Sequence, residues 1–252
     1  MKNFFKAASV LIVLLLIWQI VCSLNIWSAY VLPGPQKVWK AFMAMVISGE
    51  ILQSAFISLR RVLIGFGIAF VSAFLIGILT SLKPKYTPYY NHIVEFLRNV
   101  PPMSLIPLLI LWFGIGETAK IVIIVLTSFF PIFLNTKSGF ASCDQKLLEV
   151  GDSLGFTAAQ KFFKIRLPNA VPSILVGMRI GLGYSWRAIV GAEMIAAASG
   201  LGYLILDAQQ MARSDKVIVG ILVIGILGYC CDRAFYWLIK KISHGGVGNS
   251  WS

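Results

Sequence analysis

The sequence predicts an all-α membrane protein with six transmembrane helices, and three observations lead to that fold class. The chain has 252 residues, of which 58% are hydrophobic and only 13% are charged, whereas soluble domains carry about 25% charged residues. The apolar residues form six continuous runs rather than alternating with polar ones, a pattern typical of helices. Six spans of about 20 residues fit this length, so we expect one transmembrane domain over residues 1–252.

The six runs are candidate spans because only helices or closed barrels satisfy their backbone hydrogen bonds in lipid. The runs cover residues 7–23, 62–82, 103–113 with a backward extension over 93–97, 119–134, 170–198 and 217–239. Lys2 and Lys6 precede the first run, as they would in a signal peptide. No small-residue cleavage site follows that run, so we interpret it as an uncleaved first helix.

Positive charge orients these spans. An N-terminus in the cytoplasm places more of the 22 Lys and Arg residues on the cytoplasmic side, as the positive-inside rule requires. Both termini are then expected in the cytoplasm, with Arg98 on that side and Arg60 and Arg61 outside. Residues 24–61 form a long external segment in which we expect an amphipathic helix. Its aromatic residues suit the membrane interface: Trp27, Tyr30 and Trp39.

Helix-breaking residues interrupt the third run. Its breakers are Pro101, Pro102, Pro107, Gly114 and Gly116. A span with this many breakers needs neighbouring helices to satisfy its freed backbone groups, so we expect it to pack inside the bundle. Two interpretations stay open, a simple kinked helix and a hinge that belongs to the translocation path.

The segment of residues 140–168 is the most informative part of the chain. It is longer than the connection that two neighbouring spans need. Apolar and charged residues recur along it at helical spacing, and Gly155 interrupts the pattern in the middle. Two short helices meeting at a glycine bend would present an apolar knob with a charged rim. Such a knob suits docking in a groove of a soluble partner, and a helix pair lying on lipid is the alternative.

This segment resembles the coupling loop of ABC-importer permeases. That loop has the pattern Glu-Ala-Ala, three residues, Gly, nine residues, then Ile-x-Leu-Pro. The matching residues are Glu149, Gly155, Ile165, Leu167 and Pro168. Val150 and Gly151 replace the two alanines, and a glycine costs a helix about 1 kcal/mol relative to alanine. The resemblance implies that an ATPase subunit contacts Glu149, Gly151, Asp152, Gly155, Phe156, Ile165, Leu167 and Pro168.

Further motifs extend the resemblance over roughly residues 30–235. They include Leu-Pro-Gly-Pro at 32–35, Ser-Leu-Arg-Arg-Val at 58–62, the run 106–117, Gly-Met-Arg at 177–179 and residues 199–203. These segments look like those of the bacterial permeases for alkanesulfonates, taurine, nitrate and bicarbonate. The resemblance implies a type I ABC importer permease fold in the inner membrane and a small, anionic solute. It also implies three kinds of partner, namely a second permease copy, two ATPase subunits and an external substrate-binding protein.

The sequence carries no pattern for catalysis or for metal binding. It has no Gly-x4-Gly-Lys-Ser/Thr motif, so we expect the partner ATPase to use ATP and magnesium and this chain to bind no cofactor. The four cysteines lack CxxC spacing, and His92 and His244 have no partner at ligand spacing. We therefore expect no metal site and no catalytic residue, which argues against a membrane enzyme.

Two other classes of protein, a nucleic-acid-binding protein and an ion-driven carrier, fit the sequence less well than a permease. The net charge of +12 comes without a basic run dense enough to bind nucleic acid. An ion-driven carrier or channel working alone is the main alternative. Such carriers often contain inverted repeats, which this sequence lacks, and a carrier would leave the long segment 140–168 unexplained.

Charged residues inside the fifth run are candidates for the translocation path. Arg179, Arg187 and Glu193 lie there, and a charge at the centre of a span costs about 2.5–3.5 kcal/mol on insertion scales. Glu193 is six residues from Arg187, off its helical face, so we expect it to pair with another helix. The two arginines either form structural ion pairs or line the path and attract an anion. Neighbouring Trp186 either lines the path or packs.

Overall fold

The computed structural model describes residues 2–24, 26–28 and 30–242, and every regular element within these ranges is helical. The α-helices are α1 (Lys2–Ser23), α2 (Pro35–Ile47), α3 (Glu50–Leu82), α4 (Thr87–Asn99), α5 (Ile106–Phe113), α6 (Glu117–Ala141), α7 (Gln145–Ser153), α8 (Ala158–Lys161), α9 (Leu167–Ala196), α10 (Leu201–Gln210) and α11 (Ser214–Ile242). Short 3-10 turns cover Pro84–Tyr86 and Pro102–Leu105, and a π turn covers Phe162–Arg166. The all-α prediction is confirmed.

The described helices supply up to five of the six predicted spans. Three of them, α3, α6 and α11, are each long and apolar enough to cross a membrane. Two more spans result if each of two bent pairs counts as one span, since α4 meets Pro102–Phe113 at 84° and the helix Ala158–Ala196 meets α10 at 44°. At the position of the first predicted span, α1 has 22 residues, of which Ile12–Ser23 form a shorter apolar stretch.

The break in the third run falls at the predicted prolines. α4 ends at Asn99, and a 3-10 turn beginning at Pro102 leads into α5. α5 ends at Gly114, whose φ of 74° lies in the left-handed region that glycine adopts without strain. Only Ile106 and Leu109 of α5 are buried in the core, Leu111 and Trp112 are exposed, and α4 buries no residue. The expectation that this span packs inside the bundle therefore holds for one face of α5 only.

The second span begins earlier than its apolar run suggested. α3 starts at Glu50 and includes Arg61, which is buried. Polar residues in the first three turns of α3 kept that part of the helix out of the apolar run, which starts at Val62. The preceding helix α2 is amphipathic, and its buried residues Val38, Ala41 and Met45 seat it on α11 and α3.

A stripe of small residues brings α3 against α6. Gly65, Ala69, Ala73 and Gly77 recur every four residues on α3, and all four are buried. A Cβ added at Gly65 would lie 2.6 Å from the Cγ2 atom of Ile124 on α6. Small residues allow such close backbone approach, on which helix association in lipid depends.

The contact between α6 and α9 is built in the same way. A Cβ added at Gly177 would lie 2.6 Å from the Cβ of Asn135 and 2.9 Å from the carbonyl oxygen of Pro131. One turn further along α9, Gly181 fits against Ile132. α3, α6 and α9 thus form a tightly packed three-helix centre, and the charged residues of α9 are positioned relative to it.

Candidate functional site

Helix-capping residues determine the local structure of residues 140–168, the segment that was predicted to dock on a partner. α7 begins after Asp144, whose side chain accepts a hydrogen bond from the backbone N–H of Lys146 at 2.9 Å, an N-cap. The helix ends at Ser153, and Gly155 follows two residues later with a φ of 70° and open space where a Cβ would be. The N–H of Phe156 then donates to the carbonyl of Gly151 at 2.9 Å, a helix ending typical of glycine.

The second helix of this segment leads directly into a span. Thr157 and Gln160 form a capping box at the start of α8, which satisfies two backbone donors. The π turn Phe162–Arg166 follows and continues into α9 without an intervening loop. The bend at Gly155 is therefore the break between α7 and a helical stretch that runs from Ala158 to Ala196.

The replacement of alanine by glycine at position 151 has a structural reason. Gly151 is buried, and a Cβ there would lie 2.9 Å from the Cδ1 of Ile165 and 3.2 Å from the Cγ of Lys161. The Lys161 ammonium binds the Asp152 carboxylate at 2.5 Å. Two of the predicted contact residues, Gly151 and Ile165, therefore hold the two arms of the segment together.

The opposite face of the segment is apolar and exposed. Leu154 and Phe163 are 66% and 65% exposed, and Leu147 and Val150 are also exposed. The remaining predicted contact residues lie around this face or at its base. Glu149 is exposed and Phe156 is half-buried, with the Lys164 ammonium 5.0 Å from its ring centroid. Leu167 and Pro168 form the first turn of α9.

At the other end of the bundle, Glu193 is the centre of a buried polar network. The side chain of Glu193 is 0% exposed. Its carboxylate accepts hydrogen bonds from Ser58 Oγ at 2.8 Å, from Arg61 Nη1 at 2.7 Å and from the N–H of Gly202 at 2.9 Å. The prediction that Glu193 pairs with another helix is confirmed, because Ser58 and Arg61 belong to α3.

Arg61 extends this network to two further elements. Its Nε and Nη2 atoms donate to the Glu117 carboxylate of α6 at 2.7 and 2.5 Å. Its Nη1 also donates to the carbonyl of Ser199 at 2.8 Å. Lys120 binds the same Glu117 at 3.1 Å. The network thereby fastens the ends of α3, α6 and α9 to the turn that leads into α10.

The arginines of α9 differ in their partners. Arg179 makes two hydrogen bonds of 2.7 Å to the Asp232 carboxylate of α11. Sequence reasoning missed Asp232, although it is an acidic residue within an apolar run. Arg187 has no carboxylate within ion-pair distance in the described part of the chain, and its guanidinium carbon lies 5.8 Å from the Tyr184 ring centroid. Trp186 is buried and donates from Nε1 to the carbonyl of Ile224 at 3.0 Å, so it packs α9 against α11.

Arg187 borders a cavity of about 610 Å³ between α4, the 3-10 turn, α6 and α9. The cavity is lined by Phe96, Leu97, Arg98, Val100, Pro102, Met103, Leu105, Leu126, Thr127, Phe130, Pro131, Tyr184, Arg187 and Ala188. Arg98, which charge counting assigned to the cytoplasm, lies at the end of α4 on this cavity. The four predicted path residues are therefore not brought together, since Glu193, Arg187 and Arg179 occupy three successive levels of α9.

A bundle of several apolar helices with an exposed helical pair at one end is an architecture typical of membrane transport subunits, and the comparison with known families assigns the chain to that class. Residues 65–244 match the family model described as "Binding-protein-dependent transport system inner membrane component". The chain belongs to this family.

Named relatives agree with this assignment. The chain is 37% identical over 230 residues to the aliphatic sulfonates transport permease protein SsuC of Bacillus subtilis, covering 91% of this chain and 83% of the relative. It is 35% identical over 244 residues to the taurine transport permease TauC of Escherichia coli, covering 94% and 89%. It is 32% identical over 243 residues to the nitrate import permease NrtB of Synechocystis, covering 92% and 87%.

Solved structures show the same fold. An inward-facing MetNI methionine ABC transporter matches with a TM-score of 0.68 at 18% identity, covering 78% of this chain and 97% of the other. An amino acid ABC transporter with histidines matches with a TM-score of 0.64 at 16% identity, covering 81% and 97%. The predicted type I importer permease fold is confirmed, and the chain is a transport component of an ABC importer rather than an enzyme.

Proposed function

We propose that two copies of this chain enclose the translocation pathway of an importer for a small anionic solute, which an external binding protein delivers. The names of three relatives support the solute class, since aliphatic sulfonates, taurine and nitrate each carry a sulfonate or nitrate group. Residues 1–252 act as one permease domain in the bacterial inner membrane, with both termini in the cytoplasm. Residues 24–61 then face the external side, as does the Glu193 network.

The observation that carries this proposal is the exposed helical pair of α7 and α8. Its apolar residues point away from the bundle, where they are unfavourable in water and suited to a groove of a partner. We assign the partner as one ATPase subunit per permease copy, bound to residues 140–168. ATP and magnesium are bound by the ATPase, and its closure on ATP moves α9 through the π turn.

The test is co-purification of the ATPase with the permease from detergent-solubilised membranes. Leu154→Asp places a charge in the centre of the exposed apolar face, and we expect it to lower the recovered ATPase at least ~10-fold, which corresponds to about 1.4 kcal/mol. Tyr86→Asp is the matched control. Tyr86 is also exposed but lies outside the α7–α8 segment. It is at the same end of the bundle, because it follows Leu82, which lines a small cavity beside α7. Full recovery with Leu154→Asp would refute docking at this face.

A further inference from the structure

α9 carries three charged residues, and two of them have an oppositely charged partner among the described residues while the third has none. Glu193 is matched by Arg61, and Arg179 is matched by Asp232. Arg187 lies between them, about 9 Å along the helix from Glu193 at ~1.5 Å per residue. It also borders a second, smaller cavity that contains Asp232, but Arg179 already binds both oxygens of that carboxylate. Arg187 therefore has no protein anion to neutralise it within the described residues.

A second cation borders the same large cavity. Arg98 ends α4 and lines the cavity together with Arg187, and the structure pairs neither guanidinium with a carboxylate among the described residues. Two positive charges around one space repel each other, whereas an anion bound between them is attracted by both. Guanidinium groups are also the side chains best suited to bind a sulfonate or carboxylate through paired hydrogen bonds.

The rest of the lining is apolar. Phe96, Leu126 and Phe130 form much of the wall, and Thr127 directs its hydroxyl to the carbonyl of Ile123 in its own helix. The apolar body of an organic anion gains free energy by leaving water against these walls, a gain that a bare inorganic oxyanion does not have. The volume of about 610 Å³ is in the range of pockets that enclose organic ligands of about 300–1,000 Å³.

A methionine lies where the cavity approaches the level of Glu193. Met103, in the 3-10 turn, packs so tightly on Gly191 of α9 that a Cβ there would lie 1.8 Å from its Cε atom. Gly191 is one turn from Arg187 on the side of Glu193. The cavity itself is open, and Arg98 and Arg187 are both exposed, so their guanidinium groups are accessible to a solute.

We propose that this cavity is a binding site within the permease for an organic anion with one sulfonate or carboxylate group and an apolar body. Arg187 and Arg98 hold the anionic group, and the aromatic and aliphatic wall holds the body. The site selects such a solute over nitrate. This inference deepens the proposed function, since it rests on the chain being a permease for anions.

The experiment measures binding of radiolabelled 1-hexanesulfonate to the purified permease–ATPase complex in nanodiscs, with empty nanodiscs subtracted. We expect saturable binding that Arg187→Gln weakens at least ~10-fold and that Arg98→Gln also weakens. Arg60→Gln is the matched control. It removes one exposed positive charge near the Glu193 network, away from the large cavity, and should bind within about twofold of the unaltered protein.

Competition with nitrate tests the class of ligand. We expect a 100-fold excess of nitrate to leave hexanesulfonate binding nearly unchanged. Equal displacement by nitrate would overturn the selection for an organic anion. Unaltered binding in Arg187→Gln, or no saturable binding because the second permease copy fills the cavity, would overturn the site. The ATPase co-purification test is unaffected by either result, so failure of this site and failure of the importer proposal are distinguishable.

Discussion

The two ends of the bundle differ in how their side chains are buried and paired. At one end, Glu193 and Arg61 are buried, and five elements supply their hydrogen bonds, namely α3, α6, α9, α10 and the turn at Ser199. At the other end, α7 and α8 bond mainly within their own segment, and large apolar side chains such as Leu154 and Phe163 are left in the open.

The difference indicates which end depends on other molecules. A buried charge network is costly to disturb because each member loses its partners without regaining water. Exposed apolar side chains gain free energy only when another surface covers them. The Glu193 end therefore satisfies its buried groups within one chain, whereas the α7–α8 end presents an apolar face that only another surface can cover.

The largest effect is expected from Glu193→Ala. The substitution leaves Ser58 and the N–H of Gly202 without their acceptor and Arg61 with half of its ion pairs. We expect the free energy of unfolding to fall by about 3–5 kcal/mol, measured by SDS titration in mild detergent micelles. Glu149→Ala, at an exposed position of α7, should change it by about 0.5 kcal/mol or less. Equal losses in the two variants would contradict the contrast between the ends.

A smaller loss is expected where α6 and α9 touch. Gly177→Ala inserts a methyl group against Asn135 and the Pro131 carbonyl, and such overpacking costs about 1–3 kcal/mol. Gly183→Ala is the matched control, because it lies in the same helix with no atom within 4 Å of an added Cβ. The same SDS titration should show the control unchanged or slightly stabilised. Destabilisation by both variants would assign the effect to the helix rather than to the contact.

The smallest effect is expected at the bend between α7 and α8. Thr157→Ala removes the side-chain acceptor of the capping box, at a cost of about 1 kcal/mol that is confined to this segment. Hydrogen exchange of the amides in residues 145–166 should accelerate about fivefold, while the amides around Glu193 keep their rates. Faster exchange at both ends would show that the segment is coupled to the whole bundle before any partner binds.

Much of the fold was predictable from the sequence because lipid imposes a simple composition on a span. The apolar runs located α6 and α11 closely, and the prolines located the break between α4 and α5. The start of α3 was misplaced by twelve residues, since Glu50–Arg61 is polar enough to look like a loop. The polar residues of this stretch interrupt the continuous apolar run by which a span is recognised, although Ser58 and Arg61 are buried.

The site was predictable only in part, because pairing across helices depends on their rotation and depth. The sequence indicated that Glu193 needs a partner but could not choose Arg61, and it could not join Arg179 to Asp232. Charge counting gave Arg98 a side of the membrane but could not place it on the same cavity as Arg187. One signal for the α3–α6 contact was present in the sequence and remained unread. It is the four-residue spacing of small residues at Gly65, Ala69, Ala73 and Gly77.

The π turn between α8 and α9 has a mechanical consequence. The chain passes from Ala158 to Ala196 as one helical stretch, of which α9 alone is about 45 Å long at ~1.5 Å per residue. Within α9, Pro172 is the position where the backbone lacks a hydrogen-bond donor. Because Glu193 ties one end of this stretch to α3 and α8 forms its other end, any displacement of α8 is transmitted to the part of α9 that carries Arg187.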